Sequence, residues 1–204
     1  MLWNYKKLTA GILLIGFLLL KVLEETTWKS FSPYYSYLLE LLFIFIVHYV
    51  FKDNIRLWKN FDKSDWGMSL VALLAGLLVC KLTPSLGLII PFDFSSIETL
   101  LFLLIVAPVL EEFLFRMALW ETLKTFWDNG WFLIAATSSL FSLGHFSAYW
   151  FVPDEFKNFV LYQSVYVIFL AILLGRQRLK TNSLNVPVMM HFGFNLGFYL
   201  GNVI

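Results

Sequence analysis

The residues best suited to chemistry in this chain are two carboxylates, two imidazoles and an amide set among apolar side chains. In Ala107-Pro108-Val109-Leu110-Glu111-Glu112-Phe113-Leu114-Phe115-Arg116, Glu112 and Arg116 stand four apart, so they share a helix face and can pair. Glu111 is turned about 100° from Glu112 by the helical period, so the guanidinium neutralises one carboxylate and leaves the other open. Phe141-Ser142-Leu143-Gly144-His145 puts Phe141 one turn from His145, where its ring can wall off one side of the imidazole. Gly144 there suggests a close backbone approach. His191-Phe192-Gly193-Phe194-Asn195 again projects two polar groups from one face. Carboxylate and imidazole side chains can move protons, and Asn and His can donate hydrogen bonds.

Each segment also has a plainer reading: a wet helix end, a satisfied core histidine, an interhelical hydrogen bond. No serine or cysteine nucleophile stands out. Ser142 lies three residues before His145 with no separate base, and Cys80 is the sole cysteine, which forbids an internal disulfide and a multi-cysteine zinc site. One Glu and two His match a catalytic zinc site in ligand type, but an HExxH helix is absent, so metal is the minor enzymatic alternative. Glu40 and His48 belong to another segment and are read as structural. Gly193, Gly197 and Gly201 read as a small-residue packing seam.

The elements that position these groups are read from composition. Of the 204 residues, 59% are apolar and only 14% charged, well below the roughly one quarter charged residues of a soluble domain. The chain cannot clothe a water-facing surface, and it reads as an all-α, polytopic transmembrane bundle. A net charge of +1 argues against nucleic acid as a partner. A span needs about 20 mostly apolar residues. Seven segments qualify: 8–23, 34–51, 67–80, 97–115, 131–147, 158–174 and 184–202. The third is short, and Lys81–Ser96, with Pro84 and Pro91, reads as re-entrant or interfacial. Lys6-Lys7 before Leu8–Leu23 mimics a signal peptide, but no small-residue cleavage site precedes Glu24-Glu25, so the segment is expected to be retained.

Orientation follows from the basic residues. With a cytoplasmic N-terminus, the inner side holds ten: Lys6, Lys7, Lys52, Arg56, Lys59, Lys63, Lys124, Arg176, Arg178 and Lys180. The outer side holds four: Lys21, Lys29, Lys81 and Lys157. The run from Lys52 to Lys63 reads as a solvated cytoplasmic loop touching anionic lipid. Depth poses one difficulty. Glu111 and His191 fall at the same level of a ~30 Å core, whereas His145 lies roughly 12 Å too far out. Either Asp128-Asn129-Gly130 dips inward, or the fourth span is broken near Pro108.

In order, Glu111-Glu112-x-x-x-Arg116, Phe141-x-x-x-His145 and His191-x-x-x-Asn195 resemble the CAAX protease and bacteriocin-processing (Abi) family of membrane proteins. The resemblance covers roughly residues 98–202; it divides the chain into N-terminal spans (1–96) and a catalytic core (97–204). It implies a glutamate-dependent intramembrane endopeptidase. Glu111 and His145 would activate water, His191 and Asn195 would steady the oxyanion, and Glu112, Arg116 and Phe141 would support them. No cofactor and no metal are implied. The expected partners are membrane lipid and a peptide or lipidated-protein substrate, met at a site opening to the cytoplasm of a bacterial cell membrane; oligomeric state is open. The competing class is a non-enzymatic immunity or interaction protein that uses the same groups as structural glue. A transporter ranks last, because the polar residues gather at one spot instead of lining a path.

Overall fold

The structure is a computed structural model that describes residues 2–23, 34–52 and 55–204. Glu24, Glu25 and Lys29 lie outside the described residues, as do Asp53 and Asn54 of the basic loop. Among the described residues the chain forms seven long helices and no strand. They are α1 (Leu2–Leu23), α2 (Tyr34–Phe51), α3 (Lys63–Ser85), α4 (Ile97 to Lys124), α5 (Gly130–Ser147), α6 (Asp154–Thr181) and α7 (Asn185–Val203). Each covers one of the seven apolar segments.

Local signals set the helix ends. Asp62 caps α3 by accepting from the Asp65 N–H, while the Asp65 carboxylate accepts from the Asp62 N–H. Asn129 accepts from the Trp131 and Phe132 N–H groups at the start of α5, and Asn182, left-handed at φ 46°, ends α6. Three expectations need correction. α3 is not short; it runs 23 residues through Pro84, and the non-helical Gly87–Asp93 stretch follows it without crossing back. The basic loop is not simply solvated. Lys59 pairs with Asp62 and Asp65, and its backbone N–H and carbonyl bond the Asn185 side chain, which docks the loop on the start of α7. Nothing lies within 4 Å of a Cβ built on Gly144, so the close backbone approach expected there is not made.

The tightest packing joins α3 and α7, which run parallel. A Cβ on Gly76 would overlap the Phe194 carbonyl, and one on Gly197 would overlap the Leu73 carbonyl. Gly193 meets Ser69 and Gly201 meets Leu77 and Cys80 in the same register, so backbone lies on backbone. α5 and α6 are antiparallel, with Gly130 against Leu179 and Gly175 against Ile134. α1 and α2 are antiparallel too, joined by stacked Phe17 and Phe43 and by Lys21 Nζ, which reaches Glu40 at 2.9 Å and Ser36 at 2.7 Å. Glu40 is thus a structural ion-pair partner.

α4 is irregular in a way that shapes the site. Two π-helical stretches, Phe102–Val106 and Phe113–Leu119, flank a six-residue α-helical piece, Ala107–Glu112. It continues past Arg116 to Lys124, nine residues beyond the predicted span end. Those residues add roughly 13 Å at 1.5 Å each, and this removes the depth conflict. Glu111 and His145 each lie about 20 Å from the α4–α5 turn, so the turn need not dip inward and the helix need not break at Pro108.

Candidate active site

Glu111, His145, His191 and Asn195 all line one cavity of about 500 Å³ between α4, α5, α6 and α7. Phe141, Gln163 and Tyr166 also line it. The four groups predicted from three separate helices therefore share one space.

The two neighbouring carboxylates have different surroundings. Glu112 is fully buried and pairs with the fully buried Arg116, Oε1 to Nη1 at 3.1 Å. Arg116 also donates from Nη2 to the Ala171 carbonyl at 3.1 Å and lies with its Cζ 4.9 Å from the Phe141 ring centroid. Glu111 is half-buried, faces the cavity, and has His191 Nε2 at 3.6 Å from its Oε2. The expected division between a neutralised Glu112 and a Glu111 without a guanidinium on it is what the geometry shows.

The histidine tautomers follow from their partners. His145 Nδ1 lies 3.1 Å from the Phe141 carbonyl, which can only accept, so Nδ1 carries the proton and Nε2 is left as an acceptor. His191 Nδ1 lies 2.9 Å from Glu112 Oε1, so it too is the protonated nitrogen, and Nε2 is the one turned to Glu111. Phe141 does more than shield one ring. Its centroid lies 4.7 Å from that of His145 and 5.9 Å from that of His191, and it meets Phe115 edge-on at 5.0 Å.

Asn195 has a structural bond that the sequence reading held only as its plainer alternative. Its Nδ2 donates to the Leu103 carbonyl at 2.7 Å. The reason lies in α4: the Ala107 N–H bonds the Phe102 carbonyl in the π register, and the next residue, Pro108, has no N–H. Both helical donors to Leu103 are thereby missing, and the side chain from α7 fills the gap. A primary amide has a second N–H that this bond does not use.

The second π stretch is supported similarly. The Trp120 N–H turns to the Met117 carbonyl, and the Arg116 carbonyl accepts from Arg178 Nε at 2.9 Å. Arg178 also pairs with Glu121 at 3.0 Å, with both side chains nearly inaccessible, and bonds Asn182. Neither Glu121 nor Arg178 was singled out from sequence. The readable signal was Glu121 following Trp120 in an apolar frame, five residues after Arg116. His48 lies outside the site and lines an apolar groove between α2 and α4. Among the described residues no three His, Cys, Asp or Glu side chains are grouped to hold a metal ion.

Neither the curated proteins nor the solved structures contain a match to the chain. The family model described as Type II CAAX prenyl endopeptidase Rce1-like matches residues 93–197, which is just over half of the 204 residues and contains Glu111, Glu112, Arg116, Phe141, His145, His191 and Asn195. By that match, the chain belongs to the Rce1-like family of CAAX prenyl endopeptidases.

Proposed function

We propose that this protein is an integral membrane endopeptidase that hydrolyses a peptide bond in a membrane-associated peptide or lipidated protein. The single observation that carries the reading is the convergence of Glu111, His145, His191 and Asn195 on one cavity, with Glu112 already neutralised beside them. The membrane setting is supported by the surface. Leu8, Ile12, Ile15 and Leu19 of α1 and Leu70, Leu74 and Leu78 of α3 are all more than half exposed. A soluble monomer rarely carries an apolar patch beyond roughly 300–600 Å². Lys63–Ser85 and Asp154–Thr181 are each long and apolar enough to span a bilayer. The catalytic core is α4 to α7, with α3 bracing α7.

In this reading a water held between Glu111 and His145 is the nucleophile. Its proton passes to the Glu111 carboxylate or to His145 Nε2, and its oxygen bonds to the scissile carbonyl carbon. The second Asn195 N–H faces the oxygen that becomes negative. The tautomer refines the part played by His191: its Nδ1–H is engaged by Glu112, so it donates to the oxyanion from Nε2 only when that nitrogen also carries a proton. The proton that Glu111 or His145 took from water goes to the leaving amine as the C–N bond breaks, and the acceptor is regenerated.

The test is Glu111→Gln at normal membrane abundance, with peptides from cells carrying the parent and the variant compared by mass spectrometry. Loss of specific cleavage products is expected. Unchanged processing would remove the central residue of the mechanism. It would favour the interaction-protein reading, for which the Asn195–Leu103 and His191–Glu112 bonds serve only as interhelical glue.

A further inference from the structure

We infer that Gln163 of α6 is a peptide-binding residue of the site, whose side-chain amide takes the backbone N–H and C=O of a substrate residue beside the scissile bond. This assignment rests on the endopeptidase reading for the scissile bond, while the binding itself needs no cleavage. α6 carries none of the three polar segments read from sequence, yet it gives the cavity two polar side chains, Gln163 and Tyr166. The level of Gln163 follows from helix packing. Phe141 of α5 lies 5.9 Å from the His191 ring of α7 and clusters with Val167 of α6, so these three mark one layer. His145 comes four residues later on α5 and Asn195 four later on α7, a rise of about 6 Å each. α6 runs against both: Gly175 meets Ile134, Phe159 meets Phe198, and Leu170 and Leu174 cluster with Val186 and Met190. Gln163, four residues before Val167, therefore rises by the same distance in the same direction. His145, Gln163 and Asn195 stand at one level on three walls of the cavity. The Ser142 hydroxyl, bonded to the Ser164 carbonyl at 2.8 Å, ties α5 to α6 there.

A peptide drawn into a cavity of about 500 Å³ cannot keep its amides hydrated, and each one left unpaired is costly. The other polar groups at this level are committed. His145 holds the water in the reading above, and Asn195 is divided between the Leu103 carbonyl and the oxyanion. Gln163 has the Tyr166 hydroxyl beside it on the same helix. A hydroxyl engages one donor or acceptor of a primary amide and leaves the others for a ligand. In an extended peptide the N–H and C=O of one residue point to the same side, and the amide of Gln163 presents an acceptor and a donor side by side to meet them. Such a contact reads backbone and not side chain. It admits many residue types at that position and rejects proline or an N-methylated residue, which has no N–H to give.

The probe is a fluorescent farnesylated peptide with a CAAX-type end, the substrate class for which the family is named. Its binding to the full-length Glu111→Gln protein in mixed micelles is read by fluorescence anisotropy, with and without Gln163→Leu. Leucine keeps the helix propensity of the position, and Gln163→Met repeats the comparison should that variant fail to fold. Gln163→Leu should bind the probe about ten- to hundredfold more weakly, the loss of two neutral hydrogen bonds. Probes N-methylated at one position each are run in parallel. At one position near the scissile bond, N-methylation should weaken binding by a similar factor when Gln163 is present and have little further effect on Gln163→Leu. Equal affinity with and without Gln163→Leu, additive losses at every position, or no binding at all overturns the inference. So does a Tyr166→Phe protein that loses as much affinity as Gln163→Leu, because the amide then only props the phenol. Binding that depends on Gln163 without cleavage by the parent chain removes the peptidase reading and leaves this one standing. Cleavage with an unchanged KM in Gln163→Leu does the reverse.

Discussion

Replacing Arg116 tests whether the neighbouring-carboxylate arrangement is held by charge. Arg116 makes two hydrogen bonds, to Glu112 and to the Ala171 carbonyl, both at 3.1 Å, and stands over the Phe141 ring. Arg116→Ala leaves the Glu112 carboxylate with His191 as its remaining partner, because Glu112 Oε2 already lacks one. Breaking one side of a buried pair costs about 3–5 kcal/mol, roughly two to nearly four decades in the folding equilibrium at 1.4 kcal/mol per decade. Removing both charges is far milder, because no uncompensated ion stays behind. The perturbation is therefore a cycle: Arg116→Met, Glu112→Gln, and both together. Stability is read by reversible unfolding in mixed micelles, with membrane abundance alongside. Arg116→Met alone should be the least stable of the three, and the double variant should recover a substantial part of the loss. Strictly additive effects would refute the pairing argument. A fully stable Arg116→Met protein with lowered turnover would instead place the guanidinium in the chemistry.

Three further outcomes are expected. Asn195→Ala should lower kcat about 10²–10³-fold as an oxyanion donor is lost; adding Pro108→Ala gives the Leu103 carbonyl a backbone donor again and should restore stability without restoring turnover. Gly197→Ala drives a methyl into the Leu73 carbonyl and should cost about 1–3 kcal/mol in the same unfolding assay, with Gly16→Ala, which meets nothing within 4 Å, as the neutral control. The Asp65 backbone N–H, and after it the Lys59 ammonium, hold the Asp62 carboxyl below its ordinary range. Its stabilisation of α3 is thus present above a pH of about 3.9 and is lost as pH falls through the lower folded value. Asp62→Asn should flatten that acid limb in a pH series of unfolding curves.

All seven helices were legible because each carries a continuous apolar run, and the three polar segments were legible because four-residue spacing is visible in any helix. The depth of α4 was not. Arg116, Glu121 and Lys124 look like the charged end of a span, and only the folded chain shows that the expected Glu112–Arg116 pair is fully buried and that Glu121 is buried against Arg178. Arg178 was for the same reason counted among the loop charges. A single sequence shows which residues need partners but not which distant residues supply them. The π register of α4 is likewise silent in the residue pattern, since one extra residue per turn leaves no compositional mark; Pro108 is its one visible trace, and a break there is one of the two ways the depth difficulty can be read from sequence. Asn195 was found as a site residue, but its bond to Leu103 became intelligible only with that register.

The glycine contact between α3 and α7 leaves the two halves of the site mechanically unequal. His191 and Asn195 stand on a helix whose backbone rests directly on another backbone, and such a surface can neither tilt nor slide without collision. Glu111 stands on six regular residues between two π-helical stretches, whose freed carbonyls are held by Asn195 of α7 and Arg178 of α6 instead of by the helix's own ladder. On the endopeptidase reading proposed above, a peptide entering between them meets backbone packed on backbone on one side and a helix with an interrupted ladder on the other. Adjustment to the size of a substrate would then fall on the helix that carries Glu111, while His191 and Asn195 keep their place.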